Sequence, residues 1–415
     1  MKYDGIVIGG GPAGMMAALT AAENGNRVVL LEKNGEPGKK LLITGKGRCN
    51  VTNACPVTEV LQNVPRNGRF LFSAMNGFTP QDVIDFFENN GCKLKIERGN
   101  RVFPVSDKSS SVLQCLEKCL QNVGVTVIKE TAKEILTKDG AVTGVKTARQ
   151  SIDGNWVILA TGGVSYPKTG STGDGYEMAR SLGHSIRPPV GSLVPLETEG
   201  TDCPRMQGLS LRNVGIKLLD MSGKTVYRDF GELLFTHFGI SGPTVLSASA
   251  HLEDPRGTLL IDLKPALDEK KLDDRILRDL NLYCNRSMEN ALSDLLPRSM
   301  IPVVLDKLDI DCACRANVLK KEQRRALVSL LKAFPVSIIG KRPVDEAIIT
   351  SGGITVNEID PKTMASKRIS GLYFAGEIID CDAYTGGFNL QIAWATGRAA
   401  GEAVKPVIDK RFSID

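Results

Sequence analysis

The chain has 415 residues, 42% of them hydrophobic and 24% charged, with a formal net charge of +5. That length and composition suit two or three soluble domains and exclude a disordered or fibrous chain. The mild charge is spread along the sequence and makes no electrostatic case for nucleic acid, and the 10 cysteines lack the spacing of a secreted disulfide framework.

No apolar run reaches membrane-spanning length. The first predicted strand begins too early for a signal peptide to precede it, so a cytoplasmic chain with no membrane partner is expected. Residues 5–8, Gly-Ile-Val-Ile, predict a buried parallel strand. Gly9, Gly11 and Gly14 follow with G-x-G-x-x-G spacing, with Pro12 and Ala13 between the last two. These glycines suit a tight turn, close approach of a pyrophosphate and close helix–strand packing. A helix over 15–24 would point its first N–H groups at the phosphates. A second apolar strand, 28–31, ends at Glu32, where a carboxylate accepts hydrogen bonds from a ribose 2′-OH. Lys33 follows it. The unit predicts a dinucleotide, and Glu32 favours FAD or NAD over NADP.

Residues 34–53 mix glycines, hydroxyls, amides and cations too irregularly for helix or strand. Their place directly after the acid predicts a cofactor loop, with Lys40, Gly45, Arg48, Cys49 and Asn50 as candidate contacts. Cys49 has no C-x-x-C partner and reads as a structural thiol. Residues 59–128 read as mostly helical, with a capped helix opening at Thr79-Pro80 and a hairpin over 94–104. A helix over 109–123 and a strand over 125–129 complete that stretch. Segments 133–137 and 141–147 predict a second hairpin around Asp139-Gly140. The run 154–163 predicts a buried strand ending in small residues, which puts Thr161 and Gly162 at the carboxyl end of a parallel sheet, where ligands sit. A glycine–hydroxyl loop over 164–175 carries Tyr166, and a helix runs over 174–182.

The composition changes from Pro188. Segments 190–196, 211–219, 224–230 and 258–263 read as strands, and 268–308 and 317–333 as charged helices. The run Glu232 to Pro243 reads as the start of a helix with a hydroxyl cap and Pro at N1. His237 sits in that glycine-rich stretch as a candidate facing substrate. Cys312-Ala-Cys314 has no further ligand at metal spacing, so no metal site is expected. After this block, 371–377 reads as a short strand ending at Gly376-Glu377, with Asp380 beyond it. A small-residue helix over 392–404 follows Gly387, Phe388, Asn389 and Leu390, whose N–H groups make a positive dipole end. The expected fold is α/β: a dinucleotide-binding domain in two parts, 1–189 and 346–415, around an insert at 190–345 with a helical subdomain at about 266–333.

Gly9–Gly14 with Glu32, then 160–163 and 371–380, resemble the three FAD-binding segments of two-dinucleotide-binding-domain flavoproteins. The runs 39–53, 234–243 and 384–391 are more specific. With them the chain resembles the BaiN-like (YhiN-like) family of NAD(P)/FAD-dependent oxidoreductases over essentially its whole length. Lys46 stands where many relatives have glycine. The resemblance implies an FAD-binding Rossmann-like α/β fold with an inserted β-barrel and helical subdomain. It implies FAD as cofactor and NAD(P)H as a transient electron donor, since the chain holds one G-x-G-x-x-G. One branch of the family reduces carbon–carbon double bonds of 3-oxo bile-acid intermediates, which implies a hydrophobic small-molecule substrate with an anionic group.

Such a reduction needs hydride at the β carbon, a proton at the α carbon and a donor to the carbonyl oxygen. Tyr166, His237, Tyr384 and Arg48 are the candidates. Two other classes stand beside this one. The first is an oxidase or dehydrogenase of an amine or dicarboxylate. The second is a non-catalytic flavin redox sensor or RNA-associated protein, for which the sequence offers only Lys320-Lys321 and Arg324-Arg325 on one helix.

Overall fold

Strand β1 (Gly5–Ile8), helix α1 (Pro12–Glu23) and strand β2 (Val28–Leu31) open the chain. The computed structural model describes residues 3–252 and 254–406. The end of the expected last segment, 407–415, lies outside the described residues. The chain divides into two compact units, residues 1–192 with 347–415 and residues 193–346.

The first unit is built on a five-stranded sheet. Trp156–Leu159 and then Leu372–Phe374 lie on one side of β1, with β2 and then Thr126–Ile128 on the other. Every pair is parallel. Numbered along the chain, the order is 5-4-1-2-3, a doubly wound, Rossmann-like sheet. β1, β2 and Trp156–Leu159 are buried throughout, as continuous apolar strands covered on both faces must be. The strand order reverses between β1 and Trp156–Leu159, and that switch opens a crevice at their carboxyl ends.

Local signals hold where they are strong. Thr79 caps helix Pro80–Asn89 in a reciprocal capping box with Asp82. Leu94–Glu97 pairs with Arg101–Pro104. Ala132–Lys138 pairs with Ala141–Thr147, and Asp139 and Gly140 both adopt positive φ, 50° and 76°, as the tight turn requires.

Four expectations are corrected. The stretch 34–53 is not wholly irregular: Lys39–Ile43 forms a short helix, α2, pinned by the fully buried Leu41. Segment 190–196 is two strands. Ile186–Ser192 pairs with Ile349–Ile354 in the first unit, and Leu196–Thr198 enters the second. Leu193 separates them with φ of 54°, a conformation no strand continues through. The run from Glu232 is strand, not helix: Leu233 and Phe235 are buried in alternation at the end of Thr225–Phe235. The helix there starts at Pro243, with Pro at N1 as expected, but behind Gly242 rather than a hydroxyl cap. The last helix begins at Phe388, four residues earlier than 392.

The second unit holds a closed six-stranded barrel. Its order is Leu196–Thr198, Gly239–Ser241, Thr225–Phe235, Ser210–Leu219, Gly257–Asp262, Phe334–Lys341. Glu269–Leu282, Met288–Ala291, Ile301–Asp306 and Lys321–Lys332 are helices inserted between the last two strands. Each unit has its own cluster of buried apolar side chains. Among the described residues no helix is long and apolar enough to cross a membrane.

Candidate functional site

The crevice at the carboxyl ends of β1 and Trp156–Leu159 is a cleft of about 210 Å³. Gly9–Ala13, Thr161, Gly162, Gly376 and Glu377 all line it, so three distant sequence segments meet there. The glycine turn is sterically dictated. Gly9 has φ of 107°, and a Cβ on Gly14 would lie 1.8 Å from the Gly9 carbonyl oxygen. Helix α1 therefore rests directly on the turn, with Pro12 in its first position and its N-terminus at the cleft.

Glu32 lines the same cleft from the end of β2 and is 7% exposed. Its Oε2 accepts from the Gly10 N–H at 2.8 Å and its Oε1 from the Asn34 N–H at 2.8 Å. An ionised carboxylate has further lone pairs for hydroxyl donors. Lys33 Nζ pairs with Asp174 at 2.7 Å. Burial opposes the Asp174 charge, but the bonds from Lys33 and Thr172 outweigh it and hold the carboxyl below its usual range.

A second network spans the cleft wall. Lys40 Nζ donates to Glu377 Oε2 and to Ser165 Oγ, both at 2.7 Å. Glu377 Oε1 accepts from Ser165 Oγ and from the Thr350 N–H, both at 2.9 Å. Burial works against the Glu377 charge, yet Lys40 and Thr350 bring its carboxyl below the usual range. Sequence reasoning named Lys40 and Glu377 and missed Ser165 and Thr350, which carry no motif.

The lining fits a dinucleotide. Thr161 Oγ1 is buried and has no hydrogen-bond partner among the described residues. That oxygen packs against Gly175, where a Cβ would lie 2.0 Å from it. With an anion-favouring helix end to donate to pyrophosphate and Glu32 to accept from ribose hydroxyls, the lining suits a group such as FAD.

The remaining predicted residues divide. Asn389 and Leu390 line the cleft, and Phe388 is buried. Asn389 fixes the chain before the last helix: its Oδ1 accepts from the Ala383 N–H at 2.8 Å and its Nδ2 donates to the Ala383 carbonyl at 2.7 Å. Gly387 is the N-cap of that helix. Gly45, Arg48, Cys49 and Asn50 are not in the cleft lining. Arg48 pairs with Glu97 and with Asp107, and its guanidinium lies 4.1 Å from the Phe103 ring centroid. Burial pushes the Cys49 thiol up to about 12, so it is no thiolate nucleophile. Asn50 Oδ1 is buried without a partner among the described residues.

Tyr166 is half-buried with φ of 53°, and its ring centroid is 5.9 Å from Lys40 Nζ. Burial raises its phenol, which keeps the proton on. The Tyr384 N–H donates to the Asn63 carbonyl at 2.9 Å. His237 belongs to the barrel unit, exposed between Thr225–Phe235 and Gly239–Ser241, with its ring 5.0 Å from that of Phe238. Asp380 faces Arg66 and Arg187 instead of the cleft lining.

A family model described as the HI0933-like protein Rossmann domain matches residues 3–403. The chain belongs to the HI0933-like family. That match runs through both parts of the Rossmann-like unit and through the barrel unit between them. One HI0933-like relative, the 3-dehydro-bile acid delta(4,6)-reductase of Clostridium scindens, is 31% identical over 405 residues, covering 96% of this chain and 98% of that protein. The ribosomal RNA dihydrouridine synthase of Escherichia coli is 30% identical over 409 residues, covering 97% and 98%. The protein of the same description from Haemophilus influenzae is 28% identical, covering 97% and 98%.

Proposed function

We propose that this protein is an FAD-dependent reductase that takes electrons from NAD(P)H and saturates a carbon–carbon double bond conjugated to a carbonyl. One observation carries the reading: the glycine turn, the α1 N-terminus, Glu32 and Thr161 share a single cleft at the switch point of the sheet. Bound FAD supplies the hydride chemistry. The chain supplies the rest. The Gly9–Gly14 turn and the end of α1 hold the pyrophosphate, and Glu32 holds the ribose. Lys40 and Glu377 orient the cleft wall through Ser165 and Thr350. The N-terminus of helix Phe388–Ala403 presents a positive dipole end to developing negative charge. Tyr166, which stands outside the cleft lining with its ring 5.9 Å from Lys40 Nζ, is the candidate donor to the substrate.

A 3-oxo-Δ4/Δ6 bile-acid intermediate is the first substrate class, supported by the full-length relative named for that reduction. A uridine base in RNA is the second, supported by two full-length relatives named as ribosomal RNA dihydrouridine synthases. Both substrates present the same bond, since the uridine double bond is also conjugated to a carbonyl. The expectation of no nucleic-acid partner stands untested beside these two substrate classes.

The test follows the flavin absorbance of purified protein without oxygen. NADH or NADPH is added first, then a 3-oxo-4,6-diene steroid acid or a uridine-containing rRNA fragment. The expected outcome is bleaching by one nucleotide and recovery with one of the two acceptors. Bleaching by neither nucleotide overturns the NAD(P)H-linked reading. Recovery with RNA alone moves the substrate to uridine.

A further inference from the structure

The loop at 380–382 borders the cleft only through Cys381. Its two carboxylates are engaged elsewhere. Asp380 is 5% exposed, and two guanidiniums from separate segments converge on it. Arg66 Nη1 lies 3.9 Å from Asp380 Oδ1 and Arg187 Nη1 lies 3.9 Å from Oδ2. Neither separation is a hydrogen bond. Asp380 Oδ1 is buried and without a hydrogen-bond partner among the described residues. Asn67 Nδ2 donates to Oδ2 at 3.2 Å. Arg66 Nη1 donates to Ser351 Oγ at 3.1 Å, and the Arg187 guanidinium makes no hydrogen bond among the described residues. Both arginines stay open to solvent, with side chains 27% and 46% exposed.

Asp382 lies next to this group: Ser192 Oγ donates to its Oδ2 at 2.7 Å, and burial pushes its carboxyl up while Ser192, Ser351 and Arg66 favour its charge. Arg66 and Arg187 thus both face Asp380 at 3.9 Å, too far for it to engage their N–H donors. A guanidinium fork with free donors is matched to the paired oxygens of a carboxylate or phosphate.

We propose that Arg66 and Arg187 form the recognition site for an anionic oxygen group on the substrate, with Asp380 as the positioning residue that gathers them beside the cofactor cleft. The proposal rests on the reading of that cleft as the reductase site. The shared chemistry is a carboxylate or phosphate group, carried by a steroid acid or by a nucleotide.

Calorimetric titration of the full flavin-loaded chain with cholate, and separately with uridine 5′-monophosphate, tests it. The expected result is that one probe binds and that Arg66→Gln or Arg187→Gln weakens its binding about tenfold or more. Arg187→Lys should recover part of the loss. Binding of cholate assigns the carboxylate, and binding of the nucleotide assigns the phosphate. No binding of either probe, or binding that both glutamine variants retain in full, overturns the site. The visible flavin spectrum shows whether a variant still holds its cofactor. Should a variant lose it, the wild-type affinity decides: binding that does not fall with added salt overturns the proposal. Failure of the reductase reading would show separately, as flavin that no pyridine nucleotide bleaches.

Discussion

Lys40 and Glu377 pair across the cleft wall, and their side chains are only 20% and 13% exposed. Removing one partner strands the other charge in a poorly solvated place, which typically costs about 3–5 kcal/mol. Glu377→Gln should therefore lower stability by about 3 kcal/mol in urea unfolding at neutral pH. The double variant Lys40→Met/Glu377→Gln should lose less than the sum of the two single changes, because neither charge is then left alone. Strict additivity would mean the pair is not coupled. The pH sign is fixed by the direction of the shift. A carboxyl below its ordinary 4.5 contributes stability that is present above that value and is lost as pH falls through its folded value.

At the scale of elements, His184 ties the end of helix Asp174–Ser181 to the segment beyond strand Ile349–Ile354. Its Nδ1 is 3.0 Å from Glu358 Oε2 and its Nε2 is 2.9 Å from Ser366 Oγ. Ser366 Oγ already accepts from the N–H groups of Arg368 and Ile369, so its own proton goes to Nε2. The ring is then neutral with its proton on Nδ1, donated to Glu358. Burial opposes the Glu358 charge, but Arg368 and Ser185 outweigh it and hold the carboxyl at about 2. Burial also lowers His184 from its ordinary 6.5. The unfolded chain thus takes up a proton that the folded ring refuses, and stability declines as pH drops below about 6.5. Thermal melts between pH 8 and pH 5 should show this decline, and His184→Gln should flatten it. An unchanged slope in the variant would remove His184 as its source.

Over the whole molecule, two separate apolar clusters serve the two units. Units with independent cores unfold as separate cooperative steps when little else couples them. Scanning calorimetry should resolve two transitions. Added FAD should raise the one that belongs to residues 1–192 with 347–415, by about 2.7 kcal/mol at a hundredfold excess over Kd. One transition that moves as a whole would show instead that the barrel unit and the Rossmann-like unit melt together.

The sequence by itself determined the dinucleotide unit, because strand, glycine turn, helix, strand and acid are contiguous and each obeys a local rule. The Asp139-Gly140 hairpin and the Thr79 cap were legible for the same reason. So was the interruption of the parallel sheet by a block without a dinucleotide signature, although not the left-handed Leu193 that ends one strand and frees the next for the barrel. Only the tertiary structure decided that Lys40 meets Glu377 across 337 residues of chain, or that Arg48 turns to Glu97 and Asp107 and away from the cleft. It alone put Arg66 and Arg187 on one buried carboxylate. Periodicity and caps act within a few residues of one another. Which charges end up paired depends on where distant segments pack, and no local pattern encodes that.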